Sequence, residues 1–188
     1  MPTVLHFFRH GQVAENRLHC ICGSNIDPPL TPTGVHQAMA CAEIIDGLQH
    51  HISAIYCSPL RRARQTAELA TSFLFGMPII TEDNRLLERD FGKIDGKLSL
   101  IKLAKVWNYN YSYAKSNYGE ETLLQMELRV QEFLTMVKER HPDQHVIVFS
   151  HGGIGTAIYA LLNEVQEPKG NYFKRFRLSN GEYANFLL

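Results

Sequence analysis

Short apolar runs alternate along the chain with longer stretches in which apolar residues recur at helical spacing. The runs at residues 3–8, 53–57 and 145–150 are rich in β-branched and aromatic side chains and too short for helices, so they predict buried strands. A further short strand is expected at 78–81. Strands that alternate with helices predict an α/β fold, a three-layer α/β/α sandwich with a mainly parallel central sheet and right-handed crossovers.

Capping residues indicate where the helices begin. Thr31 and Ser58 are each followed by proline, a pair typical of the N-cap and the first position of a helix. Two adjacent glycines after His151 open the last helix. The predicted helices cover residues 32–48, 60–75, 123–140 and 152–162.

Two features complete the predicted organisation, a single domain over residues 1–188. Asn180 and Gly181 form a dipeptide typical of hairpin turns, and the apolar segments 173–178 and 182–187 flank it. Residues 93–121 surround the only tryptophan, Trp107, and we expect them to form a small lid insertion.

The predicted lid is rich in lysine and tyrosine. Tyr109, Tyr111 and Tyr113 alternate, which fits either the lining of a pocket above a bound anion or one face of a packed segment, and the sequence leaves both open. Lys93 and Lys97 are placed to meet a second acidic group of a substrate. Lids on such sheets commonly determine specificity.

Composition and charge narrow the classes of partner. Lys plus Arg equals Asp plus Glu at 19 each, so no global field attracts nucleic acid or an anionic membrane, and any anion site must be local. The four cysteines lack CxxC spacing, which argues against a zinc ribbon. The apolar run near the start is too short for a signal peptide or a membrane span. We therefore expect a cytoplasmic protein, and nothing in the sequence indicates its oligomeric state.

Two histidines directly follow predicted strands. His10 follows the first strand and His151 follows the strand at 145–150, and each precedes a glycine. Ligands of open α/β sheets bind beyond the carboxyl ends of the strands. Either histidine alone could simply end a strand, but the equivalent placement of both, with Arg9 adjacent, predicts a site. Arg62 lies one turn into a helix that should open at the same edge, where a guanidinium can clamp a phosphate.

These residues belong to a larger ordered set of motifs, which covers nearly the whole chain. It comprises Phe8, Arg9, His10, Gly11, Gln12 and Asn16; Pro29, Leu30, Thr31 and Gly34; Ser58, Leu60, Arg62, Ala63, Gln65, Thr66 and Ala67; Leu86, Glu88, Phe91, Gly92 and Gly96; and Ser150, His151, Gly152 and Gly153. This set resembles the histidine phosphatase superfamily, also called phosphoglycerate mutase-like. An Arg, His, Gly triplet alone would be weak support; the ordered set is specific.

The resemblance implies a phosphatase that works without metal or other cofactor. His10 would be the nucleophile that accepts the phosphoryl group, and Glu88 would protonate the leaving oxygen and then activate water. The resemblance further implies that Arg9, Arg62 and His151 hold the phosphoryl oxygens. The expected substrate-binding residues are Gln12, Asn16, Gly23 and Gly152.

General physical chemistry supports these roles. Charge spreads over the equatorial oxygens during phosphoryl transfer, so positioned cations and donors supply most of the catalysis. Nearby guanidinium groups disfavour a protonated His10, as a nucleophile requires. Burial and the substrate's negative charge should raise the pKa of Glu88, as an acid requires.

The departures from the family pattern concern the substrate more than the chemistry. Val13 stands where a hydroxyl residue is usual, and Cys20 and Cys22 stand where Arg and Gln are common. Ile94 and Asp95 replace a frequent Trp and Glu pair. We therefore expect a small phosphorylated metabolite as the substrate, without a more specific assignment.

Three other functions stay open at this point. A phosphoglycerate mutase would use the same phosphohistidine but generally carries larger insertions than 188 residues allow. A catalytically silent phosphate-binding module would not need the complete set of reactive residues. A metal site is suggested only by the nine histidines, and the pairs His50 and His51, and His141 and His145, lack ligand spacing.

Overall fold

The computed structural model describes residues 1–18, 20–48, 52–97, 104–108, 112–163 and 176–188. Its strands are β1 (Val4–Arg9), β2 (Ile52–Cys57), β3 (Ile80–Glu82), β4 (His145–Ser150) and β5 (Tyr183–Leu187). They form one sheet in the order β3-β2-β4-β1-β5. The first four strands run parallel and β5 is antiparallel to β1. This mixed, mainly parallel sheet confirms the predicted fold class.

The helices that the structure describes lie close to the predicted ones. They are α1 (Ala14–Arg17), α2 (Pro32–Asp46), α3 (Arg61–Thr71), α4 (Leu123–Arg140) and α5 (Gly152–Leu162), with 3-10 turns at Asn84–Leu86 and Gly92–Ile94. Thr31 caps α2 as predicted, because its side chain accepts a hydrogen bond from Gly34 N. None of the helices among the described residues is both long and apolar enough to cross a membrane.

Helices cover both faces of the sheet because successive strand residues point to opposite faces. Phe7 of β1 and Val148 of β4 join α4 and α5 in one buried cluster. Their neighbours Phe8 and Phe149 join α2 and α3 in the other. The three predicted layers are therefore present, and the site must lie at an edge of the sheet rather than on a face.

The predicted capping role of Ser58 is wrong. The chain stays extended through Leu60, and α3 begins at Arg61 without a side-chain cap from its own N-cap residue. Leu60 has extended backbone angles (φ −65°, ψ 133°) and is itself the N-cap residue, so Ser58 lies two positions too early to cap the helix. Asp27 substitutes for the missing cap, because its carboxylate accepts a hydrogen bond of 2.6 Å from Arg61 N.

The α3 helix also ends earlier than predicted, at Thr71 instead of near residue 75. The apolar side chains that suggested the longer helix do not pack: Phe73 and Phe75 are 70% and 95% exposed. Leu74 instead packs against the cluster beneath α2 and α3.

The predicted C-terminal hairpin is only partly present. Residues 173–175 lie outside the described part of the chain, and 176–178 are not in a strand. β5 pairs with β1. Asn180 and Gly181 do form a turn, and Gly181 N lies 3.2 Å from both Arg9 O and His10 O, so this turn docks against the end of β1.

The lid prediction falls partly outside the described residues, since 98–103 and 109–111, with Tyr109 and Tyr111, are not among them. Trp107 is buried, and its ring packs edge-on against Phe91 at 5.6 Å. Tyr113 packs against the same core cluster. The described part of the segment therefore contributes to the core, and its closure over a substrate stays a prediction.

Candidate active site

Two parallel neighbouring strands bring the two predicted histidines together. Arg9 at the end of β1 pairs in register with Ser150 at the end of β4, and His10 N donates to Ser150 O at 2.9 Å. The rings of His10 and His151 therefore leave the same edge of the sheet, with centroids 5.1 Å apart. The geometric condition for a shared site is met.

The His10 ring is buried and has a fixed orientation. Its Nδ1 lies 2.7 Å from Gly11 O, and a carbonyl can only accept, so Nδ1 carries the hydrogen. The Nε2 lone pair is then available for attack. Burial, followed by the charges of Arg62 and Arg9, lowers the pKa of His10 well below its ordinary value. The ring is neutral near pH 7, as a nucleophile requires.

Arg62 is fully buried in the first turn of α3. Its guanidinium donates to Ile26 O and to Gly23 O, both at 3.0 Å, and its Nε is buried without a partner in the described chain. Thr66, one turn later, donates to Arg62 O at 2.7 Å and accepts from Gly11 N at 3.0 Å. This hydroxyl fixes α3 to the loop that carries His10.

Arg9 is the last residue of β1 and directly precedes His10. Its Nη1 donates to Leu178 O at 2.5 Å, while its Nε is buried and has no partner in the described residues. Burial lowers the pKa of Arg9, Glu88 opposes this shift, and the like charges of Arg177 and Arg62 act in the same direction as burial. An arginine keeps its charge in proteins, so an anion beside it would relieve this repulsion.

Glu88 lies beside the start of α5. Its Oε1 accepts from Arg89 N at 2.9 Å and its Oε2 accepts from Gly153 N at 3.2 Å. Burial raises the pKa of Glu88 even though Arg62 and Arg9 lower it. A Cβ at position 153 would collide with Glu88 Oε1, which explains the second glycine after His151.

His151 precedes α5 and is fully buried. Its Nε2 lies 2.8 Å from Ser58 Oγ, and its Nδ1 has no partner among the described residues. Burial first, then the charges of Arg62 and His10, lower the pKa of His151 well below its ordinary value. The ring is therefore neutral and can present either a hydrogen or a lone pair at Nδ1.

The site thus brings together a neutral imidazole, a buried carboxyl and several buried nitrogen atoms whose hydrogen-bonding capacity the described residues leave unused. Buried polar atoms nearly always have hydrogen-bond partners, yet Arg9 Nε, Arg62 Nε and His151 Nδ1 have none in the described part of the protein. All three belong to residues predicted to hold phosphoryl oxygens. Such an arrangement can bind a tetrahedral anion in front of His10.

The predicted substrate-binding residues have different surroundings. Gly23 O accepts a hydrogen bond from Arg62 itself. Asn16 is linked to His10 indirectly, because Asn180 Nδ2 donates to Asn16 Oδ1 and also to His10 O. Gly152 begins α5 immediately after His151, where the helix dipole favours an anion. The side-chain oxygen of Gln12 is already bonded, because its Oε1 accepts from the Thr31 hydroxyl at 3.1 Å. Its predicted contact with substrate stays untested.

The departures from the family pattern also acquire a structural account. Asp95 accepts hydrogen bonds from Gly23 N at 2.6 Å and from Asn25 N at 3.0 Å. It therefore stabilises the loop at residues 23–26, whose carbonyls accept hydrogen bonds from Arg62. Burial raises the pKa of Cys22 to about 12 despite the nearby Arg62, so its thiol stays neutral. Val13 is fully buried and offers no hydroxyl to a substrate.

Sequence analysis missed two residues of the site. Ser58 belongs to the ordered motif set but was interpreted as a helix cap. Asn180 was interpreted as a hairpin residue, yet its Nδ2 donates to His10 O and Asn16 Oδ1, both at 3.1 Å. The Asn180-Gly181 dipeptide signalled a turn, but no local pattern signalled this contact.

Three described histidines outside the site, His6, His141 and His145, have structural partners. His141 Nε2 lies 3.0 Å from the Tyr56 hydroxyl, and His145 Nδ1 lies 2.9 Å from His6 Nε2. His50 and His51 lie outside the described residues. Across the part of the chain that the structure describes, no group of three or more His, Cys, Asp or Glu side chains is arranged to hold a metal ion.

Comparison with known proteins gives consistent results. The chain is 32% identical to an uncharacterized phosphatase of Bacillus subtilis, PhoE, over 97% of this chain and 89% of that protein. It is 33% identical to a putative phosphoserine phosphatase 2 of Hydrogenobacter thermophilus, over 86% and 79% of the two chains. The structure of a mycobacterial glucosyl-3-phosphoglycerate phosphatase matches with a TM-score of 0.80 and 25% identity, over 97% and 91%.

The family model of the histidine phosphatase superfamily, branch 1, matches residues 5–186, which include every predicted catalytic residue. The relatives named as phosphatases support a phosphatase. With the two histidines, the two arginines and the buried carboxyl at one edge of the sheet, this chain belongs to the histidine phosphatase superfamily.

Proposed function

We propose that this protein hydrolyses small phosphomonoesters through a phosphohistidine on His10, with no metal ion in the reaction. The observation that carries the proposal is the relation of His10 to its neighbours. Its Nδ1 is bonded to Gly11 O, which leaves the Nε2 lone pair for attack beside buried N–H groups that have no partner in the described chain. The guanidinium groups of Arg9 and Arg62 supply the positive charge that the transition state needs.

In the first step, Nε2 of His10 attacks phosphorus and the bond between phosphorus and the ester oxygen breaks. The departing oxygen takes the proton of the Glu88 carboxyl and leaves as an alcohol. In the second step, the Glu88 carboxylate takes a proton from water, which attacks the phosphohistidine and releases inorganic phosphate. His10 and the protonated Glu88 are then restored.

The surroundings of Glu88 favour this double role. Burial raises the pKa of the carboxyl, so it keeps its proton to a higher pH than an ordinary glutamate does. The backbone N–H groups of Arg89 and Gly153 and the charges of Arg62 and Arg9 stabilise the carboxylate that forms after proton transfer. A carboxyl poised between these influences can both give and take a proton near its operating pH.

The proposed substrate class is a small phosphorylated metabolite. The names of the relatives point to phosphoserine and to glucosyl-3-phosphoglycerate as substrates of those proteins. Each is a phosphate ester of a small polar alcohol. We propose the same general class for this chain and infer no single compound.

The deciding experiment is phosphate release from a panel of phosphorylated metabolites and a generic aryl phosphate, with and without a chelator. We expect turnover that chelation does not affect and that His10→Ala abolishes. His36→Ala is a matched control, because His36 is exposed on α2. No release from any ester by the wild-type protein would contradict the proposal and favour a silent phosphate-binding module.

A second measurement separates hydrolysis from phosphoryl transfer between hydroxyls. A mutase would need priming with a trace of 2,3-bisphosphoglycerate and would convert one phosphoglycerate into another. A phosphatase releases inorganic phosphate without priming.

The proposed role of Arg62 has its own test. Arg62→Ala should lower kcat/KM by roughly a hundredfold or more, since it removes a buried guanidinium proposed to hold the phosphoryl group. Arg61→Ala removes an exposed neighbour and should leave kcat/KM unchanged.

A further inference from the structure

The two ring nitrogens of His151 have different environments. Nε2 lies 2.8 Å from Ser58 Oγ, and Nδ1 is buried with no partner among the residues that the structure describes. A neutral imidazole carries one hydrogen, on one nitrogen or the other. Which nitrogen holds it decides whether Nδ1 offers the site a donor or a lone pair.

The Ser58 hydroxyl has few other options. It is fully buried, so solvent cannot accept its hydrogen. The other group near Oγ is Leu60 N at 3.4 Å, which can only donate. Within the described chain, His151 Nε2 is therefore the acceptor available to this hydroxyl, provided that Nε2 carries no hydrogen itself.

We propose that Ser58 is a positioning residue that holds the neutral ring of His151 in the tautomer with its hydrogen on Nδ1, so that His151 donates this hydrogen to the phosphoryl group. The consequence for catalysis rests on the proposed function, but the tautomer is a property of the free protein. The hydroxyl thus acts through His151 and does not contact substrate.

The charges around His151 make this selection matter. The ring cannot serve as a cation near pH 7, because burial and the neighbours Arg62, His10 and Arg9 lower its pKa. In the other neutral tautomer, the ring would present a lone pair to the phosphoryl oxygens, which is repulsive. Without the Ser58 hydroxyl, no hydrogen bond among the described residues would fix which of the two tautomers the His151 ring adopts.

The first test needs no variant. Two-bond proton–nitrogen correlation spectra of protein labelled with ¹⁵N-histidine report the protonation of each ring nitrogen, and His151→Gln assigns the signals. We expect a protonated Nδ1 and an unprotonated Nε2 in the free wild-type protein near pH 7. A hydrogen on Nε2, or a cationic ring, would overturn the proposal. Because this readout does not depend on turnover, an inactive protein with the expected tautomer would contradict the proposed function alone.

The second test removes and restores the hydroxyl. Ser58→Ala should shift the His151 signals toward the other tautomer and lower kcat by up to roughly 10²- to 10³-fold, the scale of one lost transition-state donor. Ser58→Thr, which keeps a hydroxyl, should restore both if it folds. Unchanged ring signals in Ser58→Ala, or an unchanged kcat, would count against the proposal.

The matched control is Thr156→Val. Thr156 is fully buried in α5, and its hydroxyl contacts the carbonyls of Gly152 and Phe176 at 2.9 and 2.8 Å. This variant also loses a buried hydroxyl near the site but leaves the partner of His151 in place. It should alter thermal stability without changing the tautomer of His151. If Ser58→Ala fails to fold, the wild-type spectrum still decides the question.

Discussion

The side-chain amide of Asn180 donates to Asn16 Oδ1 at 3.1 Å, across 164 positions of sequence. Val13 N donates to the same oxygen at 3.2 Å. With its oxygen held by two donors, Asn16 can turn only its NH₂ group toward a bound anion. Asn180 Nδ2 also lies 3.1 Å from His10 O, so one amide positions both the nucleophile loop and a predicted substrate ligand.

Replacement of Asn180 should therefore weaken substrate binding. Asn180→Ala removes one of the two donors that hold Asn16 Oδ1, and we expect KM to rise roughly tenfold, the scale of one hydrogen bond. Asn180→Asp should be worse, because a carboxylate would face three acceptor oxygens, those of His10, Gly11 and Asn16. Steady-state kinetics measures both effects.

Asn163→Ala is the matched control, since that exposed amide donates to Tyr159 O at the end of α5. It should leave KM unchanged. An Asn180→Asp variant as active as the wild-type protein would contradict the proposed role of this amide.

The contact between Asn180 and Asn16 shows where sequence-based prediction stopped. His10 and His151 could be predicted to converge, because each follows a parallel strand and such strands end at one edge of a sheet. Glu88 depended on the family motif, since nothing local distinguished it from a loop carboxylate. The partners Ser58 and Asn180 could not be predicted, because their contacts follow from how two loops meet and not from local spacing.

The pH dependence of activity follows from the two pKa shifts of the site. The pKa of His10 is well below its ordinary value, so the nucleophile is already neutral in mildly acidic solution. The pKa of Glu88 is raised, so the acid keeps its proton to higher pH than an ordinary carboxyl and loses it as pH rises further. We expect a bell-shaped profile of kcat/KM in which the alkaline limb belongs to Glu88.

Glu88→Gln tests this assignment. The amide cannot donate a transferable proton, so kcat should fall by roughly 10²- to 10⁴-fold for an ester with a poor leaving group. The loss should be smaller for an aryl phosphate, whose leaving group needs no proton. The residual activity should lack the alkaline limb. A variant that keeps this limb would assign it to another group.

Gly153 tests the close approach of Glu88 to α5. A Cβ at this position would collide with Glu88 Oε1 and would come within 2.9 Å of the Trp107 ring. Gly153→Ala should therefore displace the carboxyl and lower kcat, with a smaller effect on the fold. Gly47→Ala is the control, because a Cβ there meets nothing nearer than 3.5 Å. Equal activity of the two variants would show that the carboxyl tolerates displacement.

A histidine remote from the site should make stability depend on pH. His6 is 3% exposed, and its Nδ1 and Nε2 lie 2.8 and 2.9 Å from the Tyr183 hydroxyl and from His145 Nδ1. Burial and the neighbouring His145 lower the pKa of His6 from 6.5 to about 4. The unfolded chain therefore binds a proton at position 6 more readily than the folded protein does. The contribution of His6 to the free energy of unfolding is fully present above pH 6.5 and is lost as the pH drops toward 4.

This group alone should remove up to ~3 kcal/mol of unfolding free energy by pH 4. Urea denaturation of the wild-type protein and of His6→Gln at several pH values measures it. His10 and His151 act in the same direction, so the variant should lose only part of the pH dependence while becoming less stable at pH 7. An identical pH slope in both proteins would show that protonation of His6 is not linked to unfolding, and His36→Gln, which changes an exposed ring, should keep the full wild-type slope.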